Sequence, residues 1–109
     1  MAPLKKFNPS TAKGVTTGAT TGVALVDFSA PWCGPCKAMD PVIKRLRHRY
    51  RDRVAVIKVN IDKDKKLAAR FKVQTIPTLV VLDHGKEVKR FIGLQREATL
   101  AKSLDRALS

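Results

Sequence analysis

Residues 23–36, VALVDFSAPWCGPC, contain the features that decide the fold and the chemistry of this chain. Residues 23–28 form a short apolar run, β-branched in part, which predicts a strand buried on both faces. The chain's two cysteines, Cys33 and Cys36, end the segment, with Gly34 and Pro35 between them. Proline is well tolerated in a first helical turn, so the cysteine pair is predicted to open a helix directly after the strand.

The residues that follow continue this helix and then alternate between strand and helix patterns. Met39, Ile43, Leu46 and Tyr50 recur at helical spacing and form one apolar stripe. Pro41 lies within the pattern, so a kink is expected near the preceding turn. Further strands are predicted at 54–61, 78–82 and 87–92, further helices at 62–71 and 95–108, and a tight turn at 83–85.

This order predicts an α/β fold with a mixed sheet. Strands separated by helical segments imply parallel crossovers, and the short turn implies that the last two strands form an antiparallel hairpin. A length of 109 residues predicts a single domain, 1–109. Residues 1–22 are atypical: 8–22 are rich in Ser, Thr, Gly and Ala and predict a loop or one poor helix, while Leu4 and Phe7 could supply a short edge strand.

Composition excludes several classes of protein. No run approaches the roughly 20 apolar residues of a membrane span, and no apolar segment follows the lysines at the N-terminus as in a secretory signal. Two cysteines three positions apart close too small a loop to staple a fold, which places them for reactivity. The net charge of +13 attracts anionic partners, or reflects only a solvated basic exterior.

The Cys-x-x-Cys pair has the requirements of thiol–disulfide exchange. The nucleophile in that reaction is a thiolate, and the unpaired N–H groups at a helix N-terminus favour an anion on Cys33. Cys36, one turn further on and inward, would then attack Cys33 and resolve a mixed disulfide. A structural zinc would need two more ligands, but His48 and His84 are far apart, and an inert disulfide would stabilise little.

Several motifs in order resemble the thioredoxin family. They are VDFSAPWCGPCK at 26–37, KVNID at 58–62, IPTL at 76–79, HG at 84–85 and a glycine at 93. The resemblance spans about residues 23–109 and implies a thioredoxin fold, in which helices flank a central mixed β-sheet. It implies a cytoplasmic, monomeric reductase of protein disulfides without a bound cofactor, recycled by a thioredoxin reductase.

The resemblance also assigns catalytic roles. Cys33 matches the attacking cysteine, Cys36 the resolving one, Asp27 a buried carboxylate behind the pair and Lys58 its neighbour on the adjacent strand. Burial is expected to raise the pKa of Asp27, which suits a proton acceptor for Cys36. The alternative for Asp27 is an aspartate at a strand end whose oxygens accept hydrogen bonds from loop N–H groups. The alternative for Lys58 is an ordinary lysine that extends along the surface.

A second set of residues is implied to bind substrate. Pro77 matches the family's cis-proline, although most X–Pro bonds are trans and only the family context favours cis here. Gly34 would let a substrate backbone approach closely. The implied substrate-binding residues are Trp32, Gly34, Pro35, Ile76, Pro77 and Gly93.

Besides the segment before Val23, two features depart from the family pattern. Ser29 occupies a position that is usually aromatic, which removes apolar packing beside the site. Residues 44–53 are strongly basic, and they predict either a solvated helix face or a surface that steers acidic partners. Nucleic acid is not indicated, because no known motif is present and aromatic residues do not alternate with the charges. The competing function is a narrow-specificity redox protein or a scaffold, in either case thioredoxin-like and binding acidic partners through this basic surface.

Overall fold

The computed structural model describes residues 21–109. The expectations for residues 1–20, including the edge strand from Leu4 and Phe7, lie outside these residues. None of the helices within 21–109 is long and apolar enough to cross a membrane. The elements in chain order are β1 (Val23–Ser29), α1 (Gly34–Arg49), β2 (Val54–Asn60), α2 (Lys65–Arg70), β3 (Thr78–Asp83), β4 (Lys86–Ile92) and α3 (Glu97–Leu108).

The four strands form one mixed sheet in the order β2-β1-β3-β4. β1 and β2 are parallel, as the helix between them predicted, and β3 and β4 form the predicted antiparallel hairpin. The hairpin turn places His84 at φ 54° and Gly85 at φ 83°. Positive φ at both central residues is typical of the two-residue turns that match strand twist.

The direction of β3 corrects one sequence-based expectation. A helix separates β2 from β3, which predicted a parallel crossover, but β3 runs antiparallel to its neighbour β1. The six residues of α2 rise only about 9 Å, less than half the length of a seven-residue strand, so this helix does not span the sheet and the chain between β2 and β3 stays at one edge. β3 therefore starts at the edge where β1 and β2 end.

α2 is also shorter than the helix predicted at 62–71. Its N-cap is Asp64, whose side chain accepts a hydrogen bond from the Leu67 backbone N–H at 3.2 Å. Just before it, the Asn60 side-chain oxygen accepts from the Asp62 N–H at 2.9 Å and holds a turn. Side chains that bond to nearby N–H groups favour turns and caps over helix interiors, so the helix begins only at Lys65.

Both faces of the sheet are buried, because alternate residues of each strand point to opposite sides. One face packs against α1 and α3 and the other against α2. All seven residues of β1 are buried, which confirms the prediction for this strand. Within β1 and β2, the positions on the α1 side of the sheet are polar only toward the ends of the strands; these residues are Asp27, Ser29, Lys58 and Asn60. The two strands therefore bring their polar residues together at one edge, beside the start of α1.

Candidate active site

Cys33 and Cys36 lie where β1 passes into α1, and they are joined by a disulfide. Cys33 is the N-cap residue of α1, and the Cys36 backbone N–H donates to Cys33 Sγ at 3.2 Å. This N–H and the helix N-terminus stabilise negative charge on Cys33 when the pair is reduced. In the disulfide form both residues are buried, at 5% and 2% exposure. The two cysteines therefore differ mainly in their position on the helix, and hardly in their exposure to solvent.

The loop before β3 lies against Cys33. The Ile76–Pro77 peptide bond is cis, which confirms the expectation drawn from the family resemblance. Cys33 Sγ is 3.9 Å from the Ile76 carbonyl oxygen, and the Gly93 N–H donates to the Pro77 carbonyl at 2.8 Å. The loop before β3 therefore contacts Cys33, and Gly93 holds that loop in turn through Pro77. Gly34 and Pro35, between the cysteines, are exposed.

Exposed apolar side chains accompany these segments. The Trp32 side chain is 67% exposed, and its Nε1 donates to an Asp62 carboxylate oxygen at 2.7 Å, which fixes the ring. Ile92 and Leu94 flank Gly93 and are each 59% exposed. Several large apolar side chains left in water near one another are typical of a surface that receives a partner. Sequence reasoning missed Ile92 and Leu94, although their position on either side of Gly93 was a usable signal.

Asp27 lies inside β1, two residues before the strand ends at Ser29, and its side chain is buried, with 1% exposed. Neither carboxylate oxygen has a hydrogen-bond partner among the described residues, which excludes the alternative of an aspartate satisfied by neighbouring loop N–H groups. Burial raises the pKa of Asp27 from 3.8 to about 6, against a smaller lowering by the Lys58 charge. The carboxyl therefore changes its protonation close to the pH at which many enzymes work.

Lys58 is the register partner of Asp27 on β2, but its ion pair is with another residue. Its ammonium lies 2.8 Å from an oxygen of Asp40, on the face of α1 that looks toward β2. Lys58 and Asp40 are both 46% exposed at the side chain, so this pair is in contact with water. Sequence reasoning missed Asp40, although it lies four residues after Cys36 and so shares its helix face.

A cleft beside Cys36 borders the Lys58–Asp40 ion pair. It is lined by Ser29, Cys36, Asp40 and Lys58 together with the neighbouring residues Ala30, Pro31, Lys37 and Asn60. Ser29 is 2% exposed, and its small side chain contributes to the cleft wall where an aromatic residue was expected from the family pattern. Within residues 21–109 no group of three His, Cys, Asp or Glu side chains is placed to hold a metal ion.

A thioredoxin family model matches residues 7–106 of the chain. The chain belongs to the thioredoxin family. It is 42% identical over 84 residues to thioredoxin 1 of Synechococcus elongatus, covering 77% of this chain and 78% of that protein. It is 42% identical over 88 residues to a Staphylococcus haemolyticus thioredoxin, covering 81% of this chain and 85% of that protein.

Solved thioredoxin structures share the fold. A mutant thioredoxin from Halobacterium salinarum superposes with a TM-score of 0.77 at 36% identity, covering 87% of this chain and 80% of that one. Thioredoxin NaTrxh from Nicotiana alata gives a TM-score of 0.73 at 39% identity, covering 80% of this chain and 74% of that one. With the disulfide at the start of α1, this thioredoxin-family chain is a thiol–disulfide oxidoreductase that reduces protein disulfides.

Proposed function

We propose that Cys33 is the attacking cysteine and Cys36 the resolving one. The Cys33 thiolate attacks one sulfur of a substrate disulfide, forms a mixed disulfide and expels the other sulfur as a thiolate. Cys36 then loses its proton, attacks Cys33 and releases the second substrate thiolate, so that two electrons leave the protein. The observation that carries this assignment is the N–H donated to Cys33 Sγ at the helix N-cap.

Asp27 is the proposed acceptor of the Cys36 proton. Neither of its oxygens has a hydrogen-bond partner among residues 21–109, and its pKa of about 6 leaves most of it ionised at neutral pH. Lys58 is proposed to lower the energetic cost of that charge from the neighbouring strand. A carboxylate with a pKa just below the working pH is well matched to accept a proton and later return it.

The substrate chain is proposed to lie across the apolar rim of the disulfide. Trp32, Ile76, Pro77 and Gly93 would contact it, and Gly34 and Pro35 would face it from the turn. Gly34 supports this placement, because a Cβ atom at that position would meet nothing within 4 Å and the space above it is open. An extended substrate segment would pair with the backbone of Ile76, in the loop before β3.

Dithiothreitol-driven reduction of insulin disulfides tests these roles. The protein should accelerate precipitation of insulin strongly, and Cys33→Ser and Cys36→Ser should both return the rate to that of dithiothreitol alone. Asp27→Asn should retain activity with a slower resolving step. No acceleration by the unaltered protein would contradict general disulfide reduction and indicate a narrow-specificity relative.

The electron donor, oligomeric state and compartment are also proposals. We infer that a thioredoxin reductase supplies the electrons to a cytoplasmic monomer folded as one domain over 1–109, without nucleic acid as a partner. Family membership supports this proposal. NADPH oxidation with a purified thioredoxin reductase, and sedimentation of the oxidised protein, would test it. Failure to accept electrons from any such reductase would contradict the proposed donor.

Recognition of acidic partners is a second candidate function, and a basic groove favours it. Four cationic side chains line a groove along α1 that adjoins the cleft at Cys36: Lys37, Lys44, Arg47 and Lys58. Lys58 is paired with Asp40, whereas the other three have no carboxylate within ion-pair distance in the described part of the chain. An acidic segment beside the substrate disulfide would complement them.

Two matched peptide disulfides, one with an acidic and one with a neutral flank, separate this function from general reduction. Lys44→Gln/Arg47→Gln should lower kcat/KM for the acidic peptide by about threefold to tenfold at low salt, because long-range steering is lost. Reduction of the neutral peptide should change much less, since it loses no steering and only the weak effect of Arg47 on Asp27 remains. Lys102→Gln/Arg106→Gln on α3 removes the same charge elsewhere and serves as the control. Equal effects of both double variants would assign the preference to net charge alone.

A further inference from the structure

Lys58 lies beside one carboxylate, Asp27, in the sheet and forms its ion pair with another, the more exposed Asp40. Asp27 and Lys58 are directly opposed in the parallel β1–β2 ladder, on the same face of the sheet. The ammonium nevertheless lies 2.8 Å from Asp40 Oδ1, and both oxygens of the buried Asp27 remain without a hydrogen-bond partner. Lys58 is thus the cationic neighbour of Asp27 in the sheet, but its ammonium is bonded to Asp40 on α1 instead.

This arrangement is unusual in electrostatic terms. A buried carboxylate is costly to ionise unless it is paired, whereas an ion pair in contact with water gains little. Lys58 therefore stabilises charge less where it lies than it would on Asp27. The Asp40 charge also adds to the repulsion felt by Asp27, since it is one of the groups that raise the pKa of that carboxyl. Both effects of Asp40 act on Asp27 in the same direction.

The groups around Asp27 are few, which makes the effect of Asp40 separable. β2 presents Lys58, and α1 presents Asp40, Arg47 and the disulfide-bonded sulfur of Cys36. β3 presents the uncharged Leu79 beside Asp27 in the ladder. Arg47 has a hydrogen bond to the Val56 carbonyl oxygen at 3.3 Å, which holds it further along the helix.

We propose that Asp40 is a positioning residue: it holds the Lys58 ammonium at the mouth of the cleft and leaves Asp27 without a counter-ion. This rests on the proposed role of Asp27 as the acceptor of the Cys36 proton. Without Asp40, Lys58 is free to close onto Asp27, and the carboxylate becomes a weaker base. Asp40 thereby sets the pH range in which the resolving step is fast.

Titration of Asp27 in the oxidised protein, followed through its carboxyl carbon by NMR, tests the proposal. Asp40→Asn should lower the midpoint by about one pH unit, a tenfold change in the proton dissociation constant. The same substitution in a Lys58→Met background should shift it much less. Asp40→Glu, which keeps a carboxylate on the helix, should leave the midpoint close to that of the unaltered protein.

Asp83→Asn is the matched control, because it removes one carboxylate at the opposite end of β3. An Asp40→Asn shift no larger than that of Asp83→Asn would overturn the proposal. A shift of equal size with and without Lys58 would also overturn it, since Asp40 would then act by its own charge alone.

The pH profile of the resolving step separates this inference from the proposed function. If the midpoint and the acid limb of the rate both move down in Asp40→Asn, both proposals are supported. If the midpoint moves and the rate profile does not, Asp40 still positions Lys58, but Asp27 is not the proton acceptor.

Discussion

Asp27 places a stability cost at the centre of the site. Its pKa is about 6 in the folded chain against an ordinary value of 3.8, so the folded state holds the proton more tightly than the unfolded chain does. The free energy of unfolding should therefore fall as pH rises through the window between these two values, and stay low above it. The sequence predicted this burial, because a single carboxylate interrupts an otherwise apolar strand.

Asp27→Asn should remove this pH dependence. The variant should be more stable than the unaltered protein by roughly 2–3 kcal/mol above neutral pH, because no charge remains to be buried, and nearly equal to it near pH 4. Urea unfolding of the oxidised proteins at both pH values measures the difference. A gain of equal size at the two pH values would contradict the assignment of the cost to ionisation.

Gly22 and Gly34 differ in why the position holds a glycine: the first is required by backbone conformation, and the second is not. Gly22 has φ +81°, and a Cβ there would come within 2.8 Å of the His84 ring, whereas Gly34 has open space around it. Gly22→Ala should cost about 1–2 kcal/mol, since the left-handed conformation disfavours a side chain. Gly34→Ala should stay within about 0.5 kcal/mol. Thermal unfolding compares the two, and equal costs would contradict the conformational explanation.

At the scale of elements, local sequence patterns predicted which segments form helices and strands, but they did not predict every contact between those elements. All four strands and three helices of residues 21–109 were predicted, because strand alternation and the stripe through Met39, Ile43 and Leu46 are local signals. The direction of β3 was not, since it depends on how far the short α2 carries the chain. Asp40 was missed for a similar reason: its partner Lys58 is 18 residues away and meets it only when β2 packs against α1.

The six-residue α2 should depend on its N-cap. Asp64→Ala removes the acceptor of the Leu67 N–H and should cost about 1 kcal/mol, whereas Asp64→Ser retains an acceptor and should cost only a few tenths. Hydrogen exchange of the α2 amides should rise in the alanine variant alone. Equal exchange in the two variants would show that packing of Leu67 and Ala68 holds the helix without the cap.

At the scale of the whole molecule, charge is the dominant unusual property. The net charge of +13 on 109 residues produces self-repulsion, and residues 37–58 carry eight of the Lys and Arg side chains against two Asp. Screening should relieve that repulsion. The sequence alone predicted the excess of charge, but the groove at Cys36 became visible only once α1 and β2 were packed together.

Raising sodium chloride from about 0.02 to about 0.2 M should therefore raise the Tm by a few degrees, because the Debye length shrinks from about 20 Å to below 10 Å. The Lys44→Gln/Arg47→Gln variant, with two fewer charges, should show a smaller rise. Differential scanning calorimetry measures both. A Tm that falls with salt would show that attractive ion pairs outweigh the repulsion.

Trapping of the mixed disulfide tests the central claim, that Cys33 attacks and Cys36 resolves, most directly. Reduced Cys36→Ser is mixed with a disulfide-bonded peptide and its mass is measured, with Cys33→Ser treated in the same way. Cys36→Ser should accumulate an adduct of protein plus one peptide half on Cys33, and Cys33→Ser should accumulate little. A stable adduct on Cys36 in Cys33→Ser, with none on Cys33 in Cys36→Ser, would contradict the account.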